Sequence, residues 1–484
     1  MKRKIFRFLS LSLLTIAPVI TFVSCAKEDE QVKKLVEEFK QDQSLSNLKT
    51  KFEGYSKDSM EIIGTKVEVD LQSDKLIKAF NEYFGTNLSF KQYGGSVNPG
   101  TILSSKFNAA GGVGNLLMFN SEPREAFESR YNSLIDTSAK NIIEHEGEVP
   151  GTISVKDKSF MPQVYEYYGV IYNKSLFNQK DIIVHEGKSI DASATKPANY
   201  DGLVEKDGKT HVYTSDLKET GYRKVVQLLK DKGVAKPFYS FAKGDSGTLW
   251  PISTHLMAAA VSTLSNPSKE DWNDSTKVIT DEVIKAMKNA LEIMGYTPEN
   301  DGSQTNNVNS GNASLAANQS ALIQGGTFTE PDIKRVNPTT EIGIFPLPIF
   351  NKVDGTAMVY RGAAQKWAIT TLANDPAKLK TAKMFLQFLY KTKSGYNFFS
   401  KEFQFISPYG APDGVEQALD PKGLLKSATN YQGATNVGHW VHDNFPEGFN
   451  TDNAVLKEMA NKGYTQSDAL ERVQKAWSDL KTKK

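Results

Sequence analysis

KVEVDLQSDKLIKAFNEYFGTNLSFKQY, running from Lys66 to Tyr93, decides the class of fold. In Lys66–Leu71, Val67, Val69 and Leu71 alternate with Lys66, Glu68 and Asp70, the period of a half-buried strand. From about Asp74 to Phe84 the apolar residues shift to helical spacing, and Leu88–Tyr93 again has a strand pattern. Strand, helix and strand in this order predict a βαβ unit and a parallel sheet, and so an α/β protein. The theme recurs downstream. Asp281–Met294 places Val283, Met287, Leu291 and Met294 on a helix that ends at Gly295, the position where a left-handed backbone favours glycine. Ile342–Phe350 is a strand-like stretch cut by Pro346 and Pro348. Asn374 and Asp375 can cap a helix with Pro376 in its first turn and Leu379, Ala382, Phe385, Leu386 and Leu389 as its buried stripe. Helical patterns near Asp452–Asn461 and Ser467–Leu480 flank Gly463. Two polar stretches, Asp181–Thr210 and Asn300–Asn312, are expected to be surface loops, and no internal repeat is evident.

Upstream of this body, Lys2, Arg3, Lys4 and Arg7 precede an apolar run from Phe8 to Val23, then Ser24 and Cys25. The charged Lys27, Glu28, Asp29 and Glu30 follow at once. That order is a secretory signal. The run of about 16 residues is short of the roughly 20 that a spanning helix needs, and Pro18 weakens it further. Phe22-Val23-Ser24-Cys25 resembles a lipobox, which implies cleavage of residues 1–24 and lipidation of Cys25, the only cysteine. The competing reading is an uncleaved N-terminal anchor with an inert thiol. Either way the rest is expected at the outer face of the cell membrane. Residues 25–60 are expected to be a tether: Val32, Leu35, Val36 and Phe39 suggest a short amphipathic helix, and the stretch from Asp42 to Asn47 is linker-like.

Composition narrows the function. Apolar residues at 39% and aromatics at 10% suffice for packed cores, so global disorder is excluded. Fifty-eight basic against 56 acidic residues give no reason to expect nucleic acid as a partner. With Cys25 lipidated, no thiol remains for a disulfide, a nucleophile or a cysteine-type zinc site. Packing must hold two or three domain-sized units together.

Catalytic motifs fail one by one. Gly244-Asp245-Ser246-Gly247 matches the opening of a trypsin-type nucleophile motif, but Thr248-Leu249 replaces the following Gly-Pro and no histidine lies in the context such proteases use. His439, His442 and Asp443 could share a helical face, but zinc would need a further ligand from elsewhere. Gly111-Gly112-Val113-Gly114 lacks both the third glycine of a dinucleotide loop and the Lys-Ser/Thr of a P-loop. No enzyme activity, cofactor or metal is expected.

Four segments together resemble the extracellular solute-binding proteins of ABC importers, the family of maltodextrin- and glycerol-phosphate-binding proteins. They are GVIYNKSLF (Gly169–Phe177), GNASLAANQSALIQGGTF (Gly311–Phe328), EIGIFPLPIF (Glu341–Phe350) and the stretch Arg361–Tyr409, with GAAQKWAIT, QFLYKTKSGYNFF and ISPYG. Phe328 stands near a tryptophan's place in the family pattern. The resemblance implies a two-lobed periplasmic-binding-protein-like (type II) fold with a ligand cleft. Lobe 1 is expected at about 61–165 plus 346–392 and lobe 2 at about 167–344 plus 395–484. It further implies a monomer that captures a sugar, oligosaccharide or glycerol-phosphate-type solute and delivers it to ABC permease subunits.

A sugar has hydroxyls on its rim and flat C–H patches on its faces, so binding it in water takes hydrogen-bonding side chains and aromatic rings. A carboxylate suits the rim because charge-assisted hydrogen bonds are short and strong. On the resemblance, the ligand-binding candidates are Glu166 at the first lobe crossing, Asp245 and Trp250 in a carboxylate then Trp-Pro stretch, and Trp440 near the C-terminal helices, with Phe328 and Tyr360 as weaker members. The competing reading for each aromatic is ordinary packing, and Tyr172, Phe177, Trp367 and Phe385 are assigned to core. Arg361 is the nearby arginine a phosphate ligand would use. Two other classes remain open: a surface adhesin or structural lipoprotein that keeps the fold without transport, and a lipid-anchored glycoside hydrolase, which would need two carboxyl groups roughly 5–10 Å apart.

Overall fold

The computed structural model describes residues 17–64, 66–93, 105, 116–119, 139–146, 149, 153–155, 158–193, 196–239, 251–268, 270–295, 308–369, 375–415, 422–441, 444–446, 449 and 465–482. The N-terminal helices are α1 (Ala17–Lys40) and α2 (Gln43–Lys51), and α3 spans Asp70–Phe84. The strands are β1 (Ser59–Gly64), β2 (Asn87–Gln92), β3 (Leu116–Phe119), β4 (Ile153–Val155), β5 (Lys158–Asn173), β6 (Ile182–His185), β7 (Leu203–Lys206), β8 (Lys209–Tyr213), β9 (Lys236–Tyr239), β10 (Ser320–Gly326), β11 (Ile342–Phe345), β12 (Leu347–Phe350), β13 (Ala357–Ile369) and β14 (Val437–His439).

The βαβ expectation holds with one shift. β1 and β2 run parallel, Ser59 opposite Asn87, with α3 between them. The first strand is SMEIIG, however, not Lys66–Leu71, which forms a 3-10 turn (Val67–Val69) and then the start of α3. Six alternating residues fit a helix start as well as a strand. The interior decides: Met60, Ile62 and Ile63 are buried, whereas Leu71 is 72% exposed. Leu76, Ile77, Phe80 and Phe84 make the inner stripe of α3, and Gly85 ends it at φ +68°.

Two long strands carry the architecture. In the large sheet the order is β2-β1-β3-β13-β5-β10-β9, with β11 and β4 on β5 and β12 and β14 on β13. β13 and β5 are antiparallel, Gly362 opposite Glu166. Toward one end β13 pairs with β3 through Lys366–Ile369. Toward the other, β5 pairs with β10 and β11 through Tyr168–Asn173, and β13 pairs with β14 through Val359–Arg361. The same two strands therefore leave one core and enter another. Val164 and Trp367 lie in a core with Ile62, Phe80 and Phe385. Tyr168 and Tyr360 lie in a second with Met257, Leu322, Phe345 and Trp477, and the far face of that half buries Tyr167, Ile344 and Val359. The packing assignments of Tyr172, Phe177, Trp367 and Phe385 agree with their burial.

Several expectations need correction. Residues 29–52 are not a free tether: Val32, Val36, Phe39, Leu45 and Leu48 are buried in the first core. The polar Asp42–Asn47 stretch is not linker but the start of a helix, because the Asp42 carboxylate caps α2 through Ser44 N (3.0 Å) and also accepts from Ser394 N (2.7 Å). Phe398, Phe399, Phe403, Phe405 and Tyr409 join the first core, not the second lobe expected for 395–484. Leu347, Ile349, Met358 and Tyr360 join the second core, not the first lobe expected for 346–392. The reason is the same for both: the chain changes cores inside β13, so Leu347–Tyr360 lie in the second core, while Ala364 and the stretch that follows as far as Tyr409 lie in the first. Asp181–Thr210, expected to be a loop, contains β6, β7 and the start of β8, which form a three-stranded sheet whose short strands bury Ile182 and Val212 and leave a solvated face. Val308–Ala316 is helical, so Asn300–Asn312 overlaps a helix. Asp281–Ile293, Pro376–Lys391 and Gln466–Thr482 are helices as expected, the second capped by Asp375. The pattern at Asp452–Asn461 lies outside the described residues.

Candidate functional site

The change of cores at Glu166 and Gly362 puts one face of β5 and β13 between the two bodies. Side chains alternate along a strand, so Glu166 and Tyr168 share this face with Gly362 and Tyr360. Tyr168 is the hub. Its ring centroid is 4.9 Å from Trp440, 4.3 Å from His255 and 6.4 Å from Phe328. Trp440, just after β14, has its backbone N–H bonded to Arg361 O at 3.0 Å and meets His255 edge-on at 5.3 Å. His255 comes from a π-helical turn, Pro251–Leu256, tied down where Gln324 of β10 donates to Pro251 O at 2.5 Å. Phe328 sits in the turn after β10.

Beside the rings lies a buried charge cluster. Glu166 accepts from Lys66 Nζ through Oε1 and from the Tyr168 hydroxyl through Oε2 at 3.0 Å. Lys66 Nζ also lies 3.2 Å from Glu68 Oε1. Burial alone would lower the Lys66 pKa, but Glu166 and Glu68 outweigh it and hold the ammonium above its ordinary value. Glu68 is pushed up by burial, opposed by Lys66 and reinforced by Glu166.

The sequence candidates thus divide. Glu166, Phe328 and Trp440 are brought together. Tyr360 is correctly placed in register opposite Tyr168, but it is fully buried and its hydroxyl pairs with Thr263 Oγ1 at 2.6 Å, so it packs the second core and presents no surface. Asp245 and Trp250 lie outside the described residues, as do Gly244–Gly247, Gly111–Gly114, His442 and Asp443. Arg361 projects to the opposite strand face, over the Tyr165 ring at 5.6 Å. Sequence reasoning misses Tyr168, His255 and Lys66. Period-2 alternation from Glu166 is the signal that could have found Tyr168. Lys66 carries no such signal, since apart from Glu68 its partners Glu166, Phe328 and Phe405 are at least 100 positions away. Among the described residues no group of three or more His, Cys, Asp or Glu side chains is placed to hold a metal. No helix among them is long and apolar enough to cross a membrane.

Long strands shared by two separate cores, with aromatic and charged groups at their crossing, define a two-lobed binding fold. Solved structures with this fold include the solute-binding protein RafE in complex with raffinose (TM-score 0.63, 14% identity, covering 88% of this chain and 100% of that one). They also include a chitin oligosaccharide binding protein (0.60, 15%, 88% and 99%) and the ABC substrate-binding protein Lmo0181 of Listeria monocytogenes in complex with cycloalternan (0.59, 13%, 88% and 99%). At these identities the likeness is one of fold. No curated protein matches the chain by sequence. The model of the bacterial extracellular solute-binding proteins matches residues 134–396, more than half of the chain, and the chain belongs to that family.

Proposed function

We propose that this protein is the capture component of an ABC-type importer, taking a sugar or oligosaccharide between its two bodies and passing it to permease subunits. The observation that carries this reading is the pair of half-buried rings at the strand crossing, Trp440 and Phe328, each seated on the buried Tyr168 and His255. Rings at that place suit the C–H faces of a sugar. The raffinose, chitin oligosaccharide and cycloalternan ligands named for proteins of the same fold support the same class. Ligand favours a closed form only as far as it touches both bodies at once. Trp440 and Phe328 pack against the second core. Lys66 follows β1, whose Met60 and Ile62 lie in the first. In this reading Cys25 carries a lipid that holds the chain at the outer face of the membrane, the protein acts as a monomer, and it performs no chemistry on its solute.

The test is a thermal-shift and calorimetric screen of the chain from residue 26 onward against neutral oligosaccharides, amino sugars and glycerol-phosphate esters. Saturable stabilisation by an oligosaccharide is the expected result, with the melting point rising with ligand concentration as linkage requires. Stabilisation by none of the sugars, or turnover of one, overturns it.

A further inference from the structure

Lys66 is buried at the strand crossing with its ammonium engaged by the chain's own carboxylates. It belongs to the segment between β1 and α3, yet its ammonium lies at the strand crossing. There it meets two carboxylates, Glu166 and Glu68, and lies 5.8 Å from the Phe328 ring centroid and 5.4 Å from that of Phe405. Phe405 is buried in the first core and Phe328 packs on the second. Two carboxylates and two ring faces around one ammonium are the chemistry of a cation site, assembled from four separate parts of the chain.

We propose that Lys66 is the tethered occupant of this ammonium site and a determinant of solute selectivity. With Lys66 in place, one oxygen of Glu166 is taken by the ammonium and the other by the Tyr168 hydroxyl. Glu166 then acts on a ligand only indirectly, by positioning the buried Tyr168 ring against which Trp440 and Phe328 pack, and the crossing suits neutral hydroxylated solutes. Without the Lys66 side chain, the same carboxylates and rings accept a small alkylammonium ion or the amino group of a sugar. The selectivity half rests on the proposed sugar capture; the cation site does not.

The experiment uses the full chain carrying Lys66→Ala, which removes the equivalent of n-propylammonium. Melting temperature is measured in n-propylammonium chloride and in sodium chloride at equal ionic strength. Lys66→Ala should melt lower than wild type and regain stability in n-propylammonium only, while wild type and Lys66→Arg should respond alike to both salts. Its preference for chitosan over chitin oligosaccharides should also rise about tenfold or more, measured as a ratio of dissociation constants. Equal response of Lys66→Ala to both salts overturns the cation site. Rescue without the change in ratio overturns the selectivity role. Lys66→Met covers the case in which Lys66→Ala does not fold: it should melt lower than wild type and regain stability when combined with Glu166→Gln, and no regain overturns the pairing. The melting measurements need no solute, so they succeed or fail independently of whether wild type binds sugars.

Discussion

Gly362 gives Trp440 its place: a Cβ at Gly362 would lie 2.5 Å from the Trp440 Cβ and 3.1 Å from its ring. Both sides are held: Gly362 lies opposite Glu166 in the β13–β5 register, and the Trp440 backbone N–H donates to Arg361 O at 3.0 Å. Gly362→Ala should therefore displace the indole, at a cost of about 1–3 kcal/mol for overpacking. The expected readouts are a lower melting temperature and a shifted tryptophan emission, together with weaker oligosaccharide binding. An unchanged emission spectrum with full affinity would show that the indole is not held by this contact.

Trp440 and Glu166 should behave differently when each is replaced by alanine. Trp440 is half-buried at the rim of the second core. Its loss should weaken solute binding by about 1–3 kcal/mol, roughly fivefold to 150-fold, with little effect on melting. Glu166 is a buried partner of Lys66, so Glu166→Ala leaves the buried ammonium with Glu68 alone and should destabilise the fold by about 3–5 kcal/mol. Calorimetry with melting curves separates the two, and equal destabilisation by both variants would contradict the assignment.

The pH dependence follows from the direction of the Lys66 shift. Its folded pKa lies above the ordinary 10.5, so the folded state holds this proton more tightly than the unfolded chain. The resulting stability is fully present below pH 10.5 and is lost as the pH rises through the folded value. The stability gap between wild type and Lys66→Met should stay constant from pH 8 to 10 and narrow only at more alkaline pH, as followed by denaturant midpoints.

The N-terminal helices are structural. Phe39 is buried with its ring 5.3 Å from that of Phe388, and Phe39→Ala should cost about 3–5 kcal/mol. Asp42→Ala should cost about 1–2 kcal/mol through the lost cap. Burial pushes the Asp42 carboxyl up, but hydrogen bonds from Ser44 and Ser394 hold it below its ordinary 3.8. Its contribution is therefore present above pH 3.8 and lost as the pH falls through the lower, folded value. Denaturation of the two variants at pH 7 and pH 3 measures both effects. Wild-type stability in a chain shortened to begin at residue 53 would refute them.

Cys25→Ser should release the protein from the membrane fraction and abolish incorporation of labelled fatty acid, since two acyl chains make a stable anchor and none does not. Retention of the variant on membranes would point to the uncleaved leader as the anchor.

Local pattern made much of the fold legible. The helices Asp281–Ile293 and Pro376–Lys391 declare themselves through caps and apolar stripes, because those signals act within a few residues. The alternation at Lys66–Leu71 misleads because a six-residue pattern carries no record of what it packs against. The amphipathic spacing of Val32, Val36 and Phe39 is visible in the chain, but not that its apolar side is covered by Phe388 and Tyr83.

The order of segments along the chain was enough to name the family, and it was that resemblance that proposed Glu166, Phe328 and Trp440 as ligand-binding candidates. Tertiary structure alone decided what each one packs against and bonds to. It sank Tyr360 into the second core, spent both oxygens of Glu166 on Lys66 and Tyr168, and brought His255 onto the Tyr168 ring. These outcomes turn on contacts between residues as much as 100 positions apart, from Lys66 to Glu166, and strand pairing sets such contacts only when the whole sheet has formed.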